Sequence, residues 1–323
     1  MKTLILTLLS CLATGCVAIT QSTSPPFISN KLEKLFGDGV FTEAVAVAPG
    51  GTVYFCDITN PQTSGNQVGH LYQFEPITGR VSIFRSPEYQ CNGMKFTTTG
   101  DMITAHTNNG GSRNVVYTNM RTGKSHILAS GFNSRPFNSL NDLVIDAKSC
   151  LYVTDPRYVG TEPIEQSIFG VYRIDPNGKV TPVITNLEAP NGIAISPDQK
   201  TLYITEHPYM NHNLLLGKAK FKAMSIKAYD LHPDGHVTFR KTVVDYGVKE
   251  GADGLIIDDA GNLYAAVRDE ARPGIRIYSP AGQEIGYIPT PEKPTNLAFG
   301  GDHNTLYITA GKSLYRVQVQ HLN

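Results

Sequence analysis

One hairpin pattern recurs six times along the 323-residue chain, and this repetition constrains the fold more than any other feature. Each copy opens with Glu, Asn or Asp, runs through an alternating apolar strand, turns at Gly, Asp or Pro, and returns through a second apolar strand. A period of roughly 40–50 residues with a few short strands per unit is typical of a propeller. We therefore predict an all-β fold, a six-bladed β-propeller, with inner hairpins at Glu43–Asp57, Asn92–His106, Asn141–Asp155, Asn191–Glu206, Asp253–Val267 and Asn296–Ala310.

Shorter apolar segments between the hairpins predict two further strands per repeat. In the third repeat, Gly170–Ile174 and Val180–Ile184 flank an Asp-Pro-Asn-Gly turn. The sixth repeat is followed by only one such segment, Ser313–Val319. A four-stranded sheet there needs a strand from elsewhere, and Phe27–Gly39 is the candidate that closes the ring and removes its open edge. We therefore expect residues 27–323 to form a single propeller domain.

The N-terminal segment has the composition of an export signal. A Lys precedes an apolar run, Leu4–Leu12, which is too short to span a bilayer as a helix, and small residues follow. An ordinary signal peptide would comprise residues 1–18, whereas a lipoprotein signal of residues 1–15 would leave Cys16 lipidated. We expect an exported protein, periplasmic or secreted, with no membrane span and with Cys16 as the alternative lipid anchor.

The balance of charge narrows the class of partner. The chain has 28 Lys and Arg residues and 28 Asp and Glu residues, so its formal net charge is zero. A balanced charge argues against nucleic acid or an anionic membrane as the partner. We expect a monomer that acts on a small molecule.

The cysteines of the exported chain do not define a disulfide framework. Three remain after residue 18, Cys56, Cys91 and Cys150, and an odd number leaves at least one unpaired. Their strand-like surroundings are typical of buried small hydrophobic side chains. The sequence leaves open whether two of them form a disulfide.

The opening residues of the six hairpins are the candidates for chemistry. In a propeller, the loop entering the innermost strand and the loop after the second strand lie on the same face, so the openers converge on the central channel. Two carboxylates and several amide oxygens make an all-oxygen site, which suits Ca²⁺, Mg²⁺ or Mn²⁺. Two carboxylates also balance a divalent charge. The six openers are Glu43, Asn92, Asn141, Asn191, Asp253 and Asn296.

Local turn chemistry offers a competing explanation for these residues. Any single Asn-Gly, Asn-Asp or Asp-Gly step is more often a turn than a metal ligand. Glu43 favours metal binding, because Glu is a poor turn residue and yet opens the equivalent position. We predict a structural role for Asn92 and Asn296, and metal binding by Glu43, Asn141, Asn191 and Asp253.

The ends of the second strands supply further candidates at the same face. Long connections on a rigid scaffold usually carry function, so Asp155–Phe169 and Glu206–Ser225 are predicted to form a rim over the channel. His106 ends the second strand of its hairpin and lies either in the pocket or in the core. Arg268 and Glu206 are more typical of solvated surface than of catalytic residues.

Several motifs, each weak alone, are specific in combination. They are Asn141-Asp142 leading to Tyr152–Pro156, Gly170–Pro176, Pro190–Gly192, Asp253-Gly254, and Pro294–Gly301 running into Thr305–Thr309. Together they resemble the SMP-30/gluconolactonase/LRE-like family of six-bladed propeller lactonases. The resemblance covers nearly all of the mature chain.

The resemblance implies roles for the matching residues. In that family one Glu, two Asn and one Asp bind a catalytic divalent cation, and these roles carry over to Glu43, Asn141, Asn191 and Asp253. The implied ion is Ca²⁺, with Mg²⁺, Mn²⁺ or Zn²⁺ as alternatives. Asp253 is implied to be the general base, and Asn141 to contact substrate as well as metal.

Three further residues are candidate substrate contacts. His106 sits where many gluconolactonase-like members have a His. Arg157 lies in the sequence Asp-Pro-Arg-Tyr, where this chain departs from the frequent Pro-Pro-Tyr and gains a cation near the rim. Glu206 ends the second strand of the fourth hairpin. We expect these residues to lie close enough to the channel to orient substrate hydroxyls.

The resemblance implies a divalent-metal-dependent hydrolase that opens a lactone ring, most of all a sugar lactone. The metal would polarise the carbonyl group while Asp253 takes a proton from the attacking water. One alternative is a phosphotriesterase or arylesterase on the same metal site, which apolar residues such as Leu214–Leu216 in the rim would favour. The other is a non-catalytic binding propeller, against which two carboxylates in one channel argue.

Overall fold

The computed structural model describes residues 31–58, 69–108, 110–158, 160–208 and 223–319. All of its regular structure is β-strand, and no helix in these ranges is long and apolar enough to cross a membrane. The proposed signal peptide, Cys16, and the segment Leu214–Leu216 lie outside the described residues.

The strands lie where the apolar segments predict them, but the second strand of each blade is buried along its whole length instead of alternating between buried and exposed residues. In chain order they are β1 (Glu33–Phe36), β2 (Thr42–Val47), β3 (Val53–Asp57), β4 (His70–Glu75), β5 (Arg80–Arg85), β6 (Cys91–Phe96), β7 (Met102–His106), β8 (Val115–Thr118), β9 (Ser125–Ala129), β10 (Gly131–Phe132), β11 (Arg135–Pro136), β12 (Leu143–Ile145), β13 (Leu151–Asp155), β14 (Phe169–Ile174), β15 (Val180–Leu187), β16 (Pro190–Ile195), β17 (Thr201–Glu206), β18 (Met224–Leu231), β19 (Val237–Gly247), β20 (Ala252–Ile257), β21 (Leu263–Val267), β22 (Gly274–Tyr278), β23 (Glu284–Pro289), β24 (Pro294–Phe299), β25 (Thr305–Ala310) and β26 (Ser313–Gln318).

These strands form six antiparallel four-stranded sheets, which confirms the six-bladed β-propeller. Five sheets are consecutive in sequence: β2 to β5, β6 to β9, β12 to β15, β16 to β19, and β20 to β23. The first strand of each blade packs against the first strand of the next, and β24 of the sixth blade packs against β2 of the first. The ring is therefore closed around a central channel.

The sixth blade is completed by the N-terminal strand, as the sequence predicts. Its order is β1-β26-β25-β24, with Glu33 opposite Arg316 and Lys34 opposite Tyr315. Glu33 and Arg316 also form an ion pair of 2.7 Å. Since β1 comes from one end of the chain and β24 to β26 from the other, the two ends hold each other in place.

Six clusters of buried apolar side chains hold the ring together, one at each interface between neighbouring blades. Between the fourth and fifth blades, Tyr203 and Ile226 meet Leu255 and Ala265. Burial of apolar surface is the main favourable term in folding. The hydrophobic core is therefore divided among the six interfaces between blades, and polar side chains can occupy the central axis.

A disulfide joins the first two blades. Cys56 of β3 is bonded to Cys91 of β6, while Cys150 is free and buried. The sequence left this pairing open because neither the spacing nor the number of cysteines defines it.

Strands β10 and β11 were not predicted. They form a two-residue hairpin whose turn residues, Asn133 and Ser134, have positive φ values of 49° and 61°. Asn is favoured in such turns and Ser less so, which explains why the sequence signal is weak.

Candidate active site

The predicted openers lie side by side around one mouth of the channel. All four proposed metal ligands are buried, with relative exposures of 4–7%. The glycines that follow several openers show how closely the backbones of neighbouring blades approach each other. A Cβ on Gly93 would lie 2.5 Å from the carbonyl oxygen of Asn141, and a Cβ on Gly192 would lie 2.5 Å from that of Asp253. The opener-Gly step therefore lets one blade approach the opener of the next.

Threonines of the second strands fix this arrangement. The Thr154 hydroxyl donates to the carbonyl oxygen of Asn191 at 2.9 Å, and the Thr205 hydroxyl donates to that of Asp253 at 2.7 Å. Each bond runs from one blade to the opener of the next. These buried bonds set the positions of the opener backbones, from which the side chains project.

The Glu43 side chain is oriented by the backbone of the residue that follows it. Glu43 is followed by Ala44, which has a positive φ of 46°. The Ala44 N–H donates to Glu43 Oε2 at 3.3 Å. A left-handed alanine is costly relative to glycine, and such strain concentrates at functional sites.

The two opener carboxylates act on one another. Burial raises the pKa of Glu43 well above its ordinary value, and the charge of Asp253 raises it further. Burial also raises the pKa of Asp253, against the opposing effect of Arg268. Asp142, a third buried carboxyl whose pKa burial raises, adds to the effect on Glu43. The mouth thus holds a concentration of buried acidic groups, of which the sequence predicted two.

Asn191 connects Asp253 to the predicted rim. Its side chain lies beside the Asp253 carboxylate and lowers the pKa of that group, and its amide donates to the Tyr158 hydroxyl at 3.1 Å. The Tyr158 hydroxyl in turn donates to the carbonyl oxygen of Ala189 at 3.3 Å. The connection after β13 therefore reaches the channel through Tyr158 rather than through the preceding Arg157.

Arg268 is a largely buried cation at the mouth, so the expectation of a solvated surface residue is wrong. Its Nη1 lies 3.3 Å from Asp253 Oδ2, its Nε donates to Glu250 at 2.9 Å, and its guanidinium lies 5.7 Å from the centre of the Phe41 ring. Glu250 is also paired with Lys293 at 2.7 Å. Its position at the end of a second strand is the sequence signal for this residue.

His207 is a further residue that the sequence reasoning missed. It follows β17 directly and is 6% exposed, and its Nδ1 lies 3.1 Å from the carbonyl oxygen of Ala252. Burial lowers the pKa of His207, so the ring is neutral at pH 7. The only signal in the sequence was that His207 begins the long connection predicted as rim.

His106 lies in a separate buried cluster. Its Nδ1 is 2.7 Å from the Ser112 hydroxyl, and its Nε2 is 3.0 Å from the Thr104 hydroxyl and 3.5 Å from Glu88. A cavity of about 290 Å³ adjoins this cluster. None of the contacts described for His106 links it to the four openers.

Arg157 and Glu206 make structural contacts. The buried Arg157 guanidinium donates to the carbonyl oxygens of Asn138, Gly160 and Glu162, which fixes its own loop. Glu206 accepts the N–H of residue 188 at 2.6 Å and pairs with a lysine of β18. Alternation along β17 explains this, since the Thr205 side chain points to the fifth blade and the Glu206 side chain therefore points to the opposite side of the sheet. Substrate contact by either residue gains no support from these bonds.

Two larger cavities, of about 470 and 520 Å³, lie at the opposite face of the ring. They are lined by residues of the hairpin turns, such as Asp146 and Gln199, which both cavities share. The openers do not line them, so cavity size alone does not locate the acidic mouth.

The fold and this mouth define a class: a six-bladed propeller with buried carboxylates and amides converging at one end of its channel. The chain belongs to the SMP-30/gluconolactonase/LRE-like family, whose model matches residues 41–312. The family predicted from the motifs is therefore confirmed.

Two relatives illustrate the similarity in sequence. A gluconolactonase of Zymomonas mobilis is 31% identical over 260 residues, which cover 76% of this chain and 67% of that protein. Lactonase drp35 of Staphylococcus epidermidis is 27% identical over 227 residues, covering 69% and 64%. The matched segments thus span about two thirds of the length of these relatives.

Solved structures share the fold. A gluconolactonase of Xanthomonas campestris superposes with a TM-score of 0.76 at 22% identity, covering 91% of this chain and 94% of that one. A calcium-binding protein, regucalcin, from Agrobacterium tumefaciens superposes with a TM-score of 0.70 at 19% identity, covering 90% and 95%. At these identities the likeness establishes the architecture.

Proposed function

We propose that this protein is a divalent-metal-dependent hydrolase that opens a sugar lactone at the Glu43–Asp253 mouth. Its gluconolactonase and lactonase relatives support a lactone-hydrolysing enzyme. The observation that carries the proposal is the convergence of Glu43, Asp253 and the Asn191 amide, all buried, at one end of the channel.

The side chains present fit a hard divalent cation. Carboxylate and amide oxygens are the ligands that Ca²⁺ and Mg²⁺ prefer. The Asp253 charge raises the pKa of buried Glu43, and a cation between them would reverse that effect. No group of three or more His, Cys, Asp or Glu side chains in the described ranges is placed to hold a metal. The proposed set therefore depends on amide oxygens from Asn141 and Asn191, and the calcium-binding regucalcin with the same fold supports Ca²⁺ as the ion.

The chain's own residues supply the remaining chemistry. A bound cation would act as a Lewis acid for the lactone carbonyl and offset the charge that develops on its oxygen. Asp253 accepts a proton from the attacking water. Arg268, 3.3 Å from Asp253, favours the carboxylate form that this task needs. The Asn191 side chain also lowers the pKa of Asp253 and so favours the same carboxylate form.

The first experiment measures hydrolysis of glucono-1,5-lactone by the wild type and by Asp253→Asn. Loss of a general base typically lowers the rate 10²–10⁴-fold, and loss of a ligand lowers metal affinity as well. Treatment with EDTA should abolish turnover, and Ca²⁺ should restore it. Asp259→Asn is the matched control, because Asp259 is 86% exposed in the turn of the same hairpin. Turnover in Asp253→Asn equal to that of the control would remove Asp253 from the mechanism.

The alternative hydrolases remain predictions. The apolar rim residues Leu214–Leu216 that would favour an aryl phosphotriester or aryl ester are outside the described residues. An assay panel containing an aryl phosphotriester, an aryl acetate and a sugar lactone would rank the three substrate classes. A non-catalytic binding propeller would act on none of them.

We also propose export of the protein as a monomer. The Cys56–Cys91 disulfide supports an oxidising compartment, because such bonds persist outside the cytosol. The mass of the mature protein would distinguish cleavage after residue 18 from a lipidated Cys16. Light scattering coupled to size-exclusion chromatography would give the oligomeric state.

A further inference from the structure

The tautomer of His207 is set by the backbone. Its Nδ1 lies 3.1 Å from the carbonyl oxygen of Ala252, and a carbonyl oxygen only accepts hydrogen bonds. Nδ1 must therefore carry the proton, and in the neutral ring Nε2 then carries a lone pair. Nε2 makes no hydrogen bond to any of the described residues. It is an acceptor for which the described chain provides no donor.

Three observations place this acceptor at the mouth. Ala252, its backbone partner, immediately precedes Asp253, and the charges of Asp253 and Arg268 act on the ring. The ring also meets Tyr158 edge-on, at 6.4 Å between centroids and 83° between planes. Tyr158 in turn receives the Asn191 amide, so His207 belongs to the same group of side chains as two of the proposed metal ligands.

Tyr158 does not satisfy the acceptor. Its hydroxyl donates to the carbonyl oxygen of Ala189 at 3.3 Å and accepts from Asn191, so its one proton is already used. Among the other groups at the mouth, Glu43 and Asp253 only accept when ionised, and Arg268 is paired with Asp253 and Glu250. Among the described residues, none supplies a hydrogen-bond donor to His207 Nε2.

We propose that His207 Nε2 accepts a hydrogen bond from a hydroxyl group of the substrate, so that the site selects lactones that carry ring hydroxyls. This rests on the proposed lactonase function and narrows its substrate class. A site built to bind a hydroxyl discriminates against an analogue that lacks it, because the buried polar group is then left unpaired. A six-membered lactone without hydroxyls, such as δ-valerolactone, makes no use of His207.

Two substitutions separate the two nitrogens of the ring. In His207→Asn the side-chain amide replaces Nδ1 and keeps the bond to Ala252, but no atom occupies the position of Nε2. In His207→Gln the amide oxygen reaches the Nε2 position as an acceptor. His207→Asn should therefore keep the thermal midpoint of the wild type and lose the hydroxyl contact, and His207→Gln should retain more of that contact.

The test compares kcat/KM for glucono-1,5-lactone and δ-valerolactone in the wild type and both variants. His207→Asn should lower kcat/KM about 10- to 100-fold for the sugar lactone and less than about threefold for δ-valerolactone. His207→Gln should recover a substantial part of the loss. An equal fall in kcat/KM for both lactones would mean that His207 only positions the backbone. An unchanged kcat/KM for both would mean that His207 does not contact the substrate. Either result would overturn the inference.

A binding measurement separates failure of this inference from failure of the proposed function. Glucono-1,5-lactam and δ-valerolactam keep the ring but resist hydrolysis, and calorimetry gives their affinities in the presence of Ca²⁺. Suppose that the wild type hydrolyses neither lactone but binds glucono-1,5-lactam more tightly than δ-valerolactam, and that His207→Asn removes this difference. The inferred hydroxyl contact of His207 would then be supported, and the proposed hydrolase function would be wrong. If His207→Asn binds both lactams as the wild type does, the subsite is overturned whatever the turnover.

Discussion

At the scale of single residues, Tyr152 links burial to stability at high pH. It is fully buried between the third and fourth blades, and its hydroxyl has no hydrogen-bond partner among the described residues. Burial raises the pKa of Tyr152 to about 12. Below pH 10 the phenol is protonated in both states. Between pH 10 and 12 the unfolded chain releases a proton that the folded chain keeps, so the free energy of unfolding falls as pH rises, by about 2–3 kcal/mol in all.

Replacing Tyr152 by Phe should remove the contribution of this residue to the pH dependence, while other buried tyrosines such as Tyr172 keep theirs, and it should not reduce stability at neutral pH. The change deletes an unpaired buried hydroxyl, so the free energy of unfolding should stay the same or rise by about 1 kcal/mol at pH 8. Urea denaturation at pH 8, 10 and 11 measures both effects. Tyr287→Phe is the control, since the Tyr287 hydroxyl donates to the carbonyl oxygen of Pro273 at 2.8 Å and its loss should destabilise. If Tyr152→Phe is the less stable of the two at pH 8, the hydroxyl has a partner after all.

At the scale of elements, β1 closes the ring largely through its apolar side chains. Phe36 lies 5.3 Å from Phe55 and 4.9 Å from Tyr72, ring centre to ring centre, in the cluster between the first and sixth blades. Phe36→Ala should lower the free energy of unfolding by about 2–3 kcal/mol, somewhat less than for a fully buried Phe because Phe36 is only partly buried. Lys34→Ala on the same strand is the control, as Lys34 is 47% exposed and its substitution should cost under about 0.5 kcal/mol. Equal effects in urea denaturation would mean that backbone pairing alone holds β1.

The same elements mark the limit of what the sequence predicts. The inner hairpins are predicted to within one or two residues, because period-two alternation and turn chemistry are local properties of the chain. The openers follow from this, since any propeller brings them to one mouth. Arg268, His207 and Tyr158 were misjudged or missed, because their contacts depend on which side of a strand end faces the channel and on how a long loop returns. Those are properties of the assembled ring.

At the scale of the whole molecule, each blade contacts only its two neighbouring blades, so the weakest interface between blades limits the stability of the closed ring. The first blade is tied on one side by β1 and on the other by the Cys56–Cys91 disulfide. A cross-link spanning 35 residues restricts the unfolded chain and typically contributes about 3–4 kcal/mol. The sequence predicts that β3 and β6 lie in adjacent blades, but it does not predict that the two sulfur atoms meet across the interface between them.

The Cys56→Ala/Cys91→Ala variant should therefore lose about 3–4 kcal/mol of unfolding free energy, measured in urea without reductant. Dithiothreitol should destabilise the wild type by a similar amount and leave the double variant unchanged. Cys150→Ala is the matched control, because Cys150 is a free buried thiol whose truncation removes packing but no cross-link. Its unfolding should not respond differently to the reductant than the wild type does. If reductant fails to move the wild type, or moves the double variant equally, the disulfide is not the tie between the first two blades, and the apolar cluster around Met94 and Tyr54 carries that interface alone.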